Sequence, residues 1–187
     1  GGCVKEIDLN HSTPGCWCGN NLVGFVPDLN LSELIGLGLS KNKLTGSIPE
    51  FNKLPMLETL GLANNQLIGL IPNFTNLKKL KALYLDGNQL SGAIPDFDMP
   101  NLGELILFTN KLNGLIPNFN KMPKLYYLFL FGNQLSGNIP NFNNLPLLTA
   151  LFLDNNQLSG TIPAFDNLMK IGNIRLYSNQ LSGQIPN

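Results

Sequence analysis

The stretch LETLGLANNQLIGLIP, residues 57–72, decides how this chain folds. Its leucines fall at Leu57, Leu60 and Leu62, and the L-x-L alternation places two of them on one side of a short extended segment, with Thr59, Gly61 and Ala63 on the other. Asn65 follows, carrying both an amide donor and a carbonyl acceptor, so it is suited to satisfying buried backbone groups where a strand turns. Gly69 and Pro72 read as turn geometry: the glycine for backbone freedom, the proline for a fixed φ. Such a segment cannot cover its own apolar side and needs a neighbour of the same kind.

The neighbours are present. NQLSGxIP begins at Asn88, Asn133, Asn156 and Asn179, with variants NKLTGSIP at Asn42, NQLIGLIP at Asn65, NKLNGLIP at Asn110 and NNLVGFVP at Asn20. Leu44, Leu67, Leu90, Leu112, Leu135, Leu158 and Leu181 advance by 23 residues, with a single step of 22 where DFDMPNL replaces the longer EFNKLPML. A fixed period of this length marks a solenoid whose stability comes from stacked neighbours. Phe51, Phe74, Phe97, Phe119, Phe142 and Phe165, one per turn, predict a second apolar spine on the return path.

The motif L-x-x-L-x-L-x-x-N, as in Leu148, Leu151, Leu153 and Asn156, followed by L-x-G-x-I-P, resembles the plant-type leucine-rich repeat of receptor ectodomains and polygalacturonase-inhibiting proteins. The resemblance covers nearly the whole chain. It implies an α/β repeat solenoid, strand-dominated with little helix: a right-handed superhelix of about eight repeats with a parallel sheet on its concave face. Residues 1–187 form one domain in this reading, with an irregular first repeat over 1–27 and seven regular 22–23-residue repeats over 28–187. It also implies a non-enzymatic recognition protein at the cell surface or outside the cell. Inhibition of a secreted enzyme does not follow, because only scaffold residues match.

The first repeat departs from the pattern. NHSTPGCWCGN inserts residues between Leu9 and Asn20, placing Cys16, Trp17 and Cys18 in a loop with Cys3 nearby. Extracellular proteins of this repeat type often carry a cysteine-and-tryptophan cap here, which implies a disulfide from Cys3 to Cys16 or to Cys18 and leaves one cysteine over. A zinc site of Cys3, His11, Cys16 and Cys18 is the alternative, disfavoured by the uncommon C-x-C spacing and by an oxidising setting; no metal or other cofactor is expected.

Twelve basic and twelve acidic residues cancel, so the charge footprint of a nucleic-acid or anionic-membrane binder is missing. No run approaches the ~18 apolar residues that span a bilayer, so membrane insertion is not expected. His11 is the only histidine, and Asp86 and Asp154, three repeats apart, stand ~14 Å from each other at ~4.8 Å per strand, too far for a glycosidase pair. These features argue against an enzyme.

Aligned repeats give three outward columns. The first reads Glu6, Gly36, Thr59, Ala82, Glu104, Tyr127, Ala150, Asn173; the central one Asp8, Gly38, Gly61, Tyr84, Ile106, Phe129, Phe152, Arg175; the third Asn10, Ser40, Ala63, Asp86, Phe108, Phe131, Asp154, Tyr177. Early repeats are small and polar there, and from the fourth onward the positions turn aromatic. Tyr84, Phe108, Tyr127, Phe129, Phe131, Phe152 and Tyr177, with Ile106 among them, therefore predict one patch bordered by Asp86, Asp154 and Arg175. An apolar patch with a charged border suits recognition of a protein or peptide, or of a carbohydrate stacking on the rings. The competing explanation is strand propensity and lateral ring packing without any ligand. A structural role is the alternative function: the final QLSGQIPN leaves Leu181 and Ile185 uncapped, which favours head-to-tail self-association into filaments.

Overall fold

The computed structural model describes residues 20–186 and the backbone of the strand Glu6–Asp8. Cys3, His11, Cys16 and Cys18, with both the disulfide and the zinc expectation, lie outside the described residues. Eight strands, Glu6–Asp8, Gly36–Gly38, Thr59–Gly61, Ala82–Tyr84, Glu104–Ile106, Tyr127–Phe129, Ala150–Phe152 and Asn173–Arg175, pair in sequence order as one parallel sheet. Every L-x-L segment lands beside the next copy, so the leucines stack: Leu57, Leu60 and Leu62 are fully buried, as are Leu80, Leu83, Leu85, Leu148, Leu151 and Leu153. Among the described residues there is no helix.

The L-x-G segments do more than turn. They form a second eight-stranded parallel sheet, Val23–Phe25, Lys43–Gly46, Gln66–Gly69, Gln89–Gly92, Lys111–Gly114, Gln134–Asn138, Gln157–Gly160 and Gln180–Leu181. The glycines Gly46, Gly69, Gly92, Gly114, Gly137, Gly160 and Gly183 all hold positive φ. At Gly92 (φ 79°) a second reason for glycine is visible: a Cβ there would collide with Leu70 Cδ2, because the residue after each glycine lies over the glycine of the next coil. Leu70 is 67% exposed and its Cδ2 can swing aside, so Gly92→Ala should destabilise by about 1–2 kcal/mol, mostly through backbone strain. In a Leu70→Ala background the cost should be nearly the same. Urea unfolding of the four proteins checks this, and a cost that vanishes in the Leu70→Ala background would count against backbone strain as its cause.

The asparagines behave as their chemistry predicts. Asn65 Nδ2 donates to the carbonyls of Leu39 (3.0 Å), Leu62 (3.1 Å) and Ala63 (3.3 Å), while its Oδ1 accepts from Leu44 N at 3.0 Å. Asn88 repeats the arrangement with Leu62, Leu85, Asp86 and Leu67. Each asparagine thus ties its own coil to the one before it.

The phenylalanine spine forms, with Phe51–Phe74 and Phe74–Phe97 centroids 6.3 Å apart and Phe142–Phe165 6.5 Å apart. Its backbone is unusual. Phe51, Phe74, Phe119, Phe142 and Phe165 all adopt φ between 49° and 56°, a left-handed conformation that costs a bulky residue about 1–2 kcal/mol. Burying a phenyl ring contributes about 1.5–3 kcal/mol, enough to offset the strain. Two turns then follow, with Leu54 N donating to Phe51 O at 3.0 Å and Leu57 N to Leu54 O at 3.1 Å. Phe97, in the 22-residue repeat, escapes the left-handed region, and its N donates to Pro95 O at 2.9 Å; the missing residue is absorbed there.

Candidate functional site

The outward columns are in register. Tyr84 pairs with Ile106, Ile106 with Phe129, Phe129 with Phe152, and Phe152 with Arg175. Strand spacing of ~4.8 Å nearly matches the distance at which aromatic faces touch, so residues in one column stack whenever consecutive copies are aromatic. Phe129 and Phe152 do so at 4.4 Å and 6°, and Phe108 and Phe131 at 4.4 Å and 7°. Arg175 continues the first stack, its Cζ 4.1 Å from the Phe152 centroid. Tyr127 joins Phe129 at 5.6 Å across the columns. Phe108, Phe129, Phe131 and Phe152 are half-buried, while Tyr127, Tyr177 and Arg175 are exposed.

Three expected members sit differently. Ile106 is in register but only 6% exposed, so it belongs to the floor beneath the rings instead of the contact surface. Asp86 and Asp154, expected at a charged border, are 7% and 2% exposed. They lie inside the third column, at either end of the Phe108–Phe131 stack, where large neighbours shield them from water. Asp154 Oδ2 accepts from Asn155 Nδ2 at 2.8 Å, and its carboxylate pulls on the Tyr177 hydroxyl proton, raising that pKa. Of the three border charges expected, Arg175 is the exposed one.

A polar clamp orders the near edge of the rings. Glu104 Oε2 accepts from the Tyr84 hydroxyl at 2.7 Å and Glu104 Oε1 from the Tyr126 hydroxyl at 2.6 Å. Burial, then this hydrogen bond, raises the Tyr84 pKa; at Tyr126 the bond to Glu104 comes first and pushes it up to about 12. Tyr126 stands edge-on to Tyr127 at 4.8 Å and 74°. Column alignment missed it, because the residue precedes the strand. Only the folded chain shows why the ring fits: a Cβ on Gly103, the same position one repeat earlier, would collide with the Tyr126 ring.

Beyond Tyr84 the small residues of the early repeats leave a pocket of about 270 Å³ lined by Ser40, Lys41, Ala63, Asn64, Tyr84 and Asp86. Ser40 Oγ accepts from Ala63 N at 3.1 Å. Burial raises the Asp86 carboxyl from 3.8 to about 6, opposed first by a hydrogen bond from its own backbone and then by one from Asn64. A carboxyl held above its unfolded value binds its proton more tightly in the native state, so stability falls as pH rises from about 4 to 6. Asp86→Asn removes that loss. The variant should exceed the parent by about 1–2 kcal/mol at pH 7 and match it near pH 4; urea unfolding at both values checks this, and an unchanged difference between them would contradict it.

The sequence profile of the Leucine Rich Repeat family matches residues 56–77, 79–97 and 147–168. A pollen receptor kinase 3 structure shares 30% identity over 97% of this chain and 91% of that one, with a TM-score of 0.72. The chain belongs to the leucine-rich repeat family. Its repeats also resemble the plant peptide hormone receptor RGFR1, solved with RGF2 (33% identity, 97% of this chain, 29% of that one, TM-score 0.89). The Arabidopsis receptor kinase HAESA, solved with the peptide hormone IDA and the co-receptor SERK1, matches at 36% identity over 90% of this chain and 30% of that one, TM-score 0.85. The chain thus spans about three tenths of the length of these two receptor structures. No curated protein sequence matches it. Among the described residues of this leucine-rich repeat chain, no helix is long and apolar enough to cross a membrane, and no three metal-ligating side chains gather.

Proposed function

We propose that this leucine-rich repeat chain is a non-catalytic recognition module, at the cell surface or outside the cell, that holds a peptide or protein segment along its concave aromatic face. The observation that carries the reading is the pair of in-register stacks, Phe129–Phe152 and Phe108–Phe131, half-open to the concave side and ended by Arg175. Flat rings held by strand register offer apolar area with little conformational freedom left to lose on binding. The similarity to structures solved with peptide hormones supports a peptide over other occupants.

The test is a binding screen of the protein against peptide and oligosaccharide arrays, repeated with Phe129→Ala and Phe131→Ala. Peptides retained by the parent and lost by both variants support the reading. Retention of oligosaccharides alone replaces the peptide with a glycan, and ligands held equally by the variants remove the rings from recognition.

A further inference from the structure

The pocket beside Tyr84 has a chemistry of its own. Asp86, 7% exposed, lines it, and its carboxylate accepts only a hydrogen bond from its own backbone and a long 3.4 Å contact from Asn64 Nδ2 among the described residues. No basic group comes within ion-pair distance of Asp86 among the described residues, although Lys41 also lines the pocket. A shielded carboxylate without a counter-charge is costly. One wall is the Tyr84 ring, fixed through its hydroxyl to Glu104. Ala63 contributes an apolar patch and Ser40 a hydroxyl oxygen. At about 270 Å³ the space is smaller than the ~300–1,000 Å³ of whole-ligand sites and suits one side chain.

We propose that this pocket takes a single alkylammonium or guanidinium group: the basic side chain of a peptide lying along the adjoining rings. The aliphatic stem packs on Ala63 beside Tyr84, the cation ends at Asp86, and its charge supplies the partner that no basic group among the described residues provides. The upward displacement of the Asp86 carboxyl agrees with a charge left uncompensated in the free protein. The identification of the occupant as part of a peptide rests on the recognition reading above, whereas the cation preference does not.

The experiment therefore uses small probes. N-acetyl-lysine methylamide, its neutral counterpart N-acetyl-norleucine methylamide and the free polyamine spermidine are titrated separately into the protein, following the Ala63 methyl and Tyr84 ring signals by NMR. The lysine probe should bind at least about 10-fold more tightly than norleucine, a difference of about 1.4 kcal/mol. Asp86→Asn should erase that preference while leaving the Phe129 and Phe131 ring signals in place. Spermidine binding as tightly as the lysine probe supports the cation pocket with a free amine as its source; lysine binding more tightly supports the peptide source. Equal response to lysine and norleucine, a lysine preference that survives Asp86→Asn, or no response to any probe overturns the proposal. None of these three outcomes bears on whether peptides bind the rings.

Discussion

Asn88→Ala should lower the unfolding free energy by about 3–5 kcal/mol, more than any single surface change in the molecule. The side chain is buried, donates to three carbonyls and accepts from Leu67 N at 3.0 Å. Alanine leaves that N–H without a partner, and a buried donor so orphaned costs about 1–3 kcal/mol by itself, with the freed carbonyls adding to it. Position decides the rest. Asn179 makes equivalent bonds to Leu153, Leu176, Tyr177 and Leu158 but is less buried, in a last coil whose Ile174 and Ile185 are exposed. Asn179→Ala should therefore cost roughly half as much, because water reaches the groups it abandons. Denaturant unfolding of both variants tests the ladder; equal losses would mean that burial does not set the cost.

Phe129→Ala should reduce affinity for a peptide ligand about 30-fold or more, roughly 2 kcal/mol, the threshold for an interface hot spot. Its effect on stability should be small, about 0.5–1.5 kcal/mol, since the ring is half-buried and stacking with Phe152 is the main interaction it provides to the fold. Phe142→Ala makes the opposite pair. That ring is 1% exposed in the spine, so its removal should cost about 3–5 kcal/mol of stability and leave the intrinsic affinity of the folded fraction unchanged. Calorimetric titration combined with urea unfolding separates the two. If Phe129→Ala unfolds the protein as severely as Phe142→Ala, the concave rings are structural.

The period makes most of this architecture readable from the amino-acid sequence. A 23-residue step puts Phe129 beside Phe152 and Leu128 beside Leu151, and the pairing follows that arithmetic. Three features were not legible, each for a physical reason. Glycine in L-x-G signals a turn locally, and only the arrival of a second copy alongside converts the segment into the second sheet. The left-handed phenylalanines run against local preference, and tertiary burial overrides it; only the escape of Phe97 in the short repeat hints at the strain. Burial of Asp86 and Asp154 depends on the size of residues one coil away, which column position does not report. Tyr126 belongs with these, because its place over Gly103 is a contact between repeats.

The phenylalanines themselves provide the most direct test of the concave face. Of the eleven, Phe108, Phe129, Phe131 and Phe152 line that face, six form the spine, and Phe25 is 77% exposed on the second sheet. With carbon-13 in every phenylalanine ring, a saturating peptide from the screen should shift the four concave signals and leave the spine and Phe25 where they are. Movement of Phe25 while the four concave rings stay still would place recognition on the opposite sheet and contradict the account.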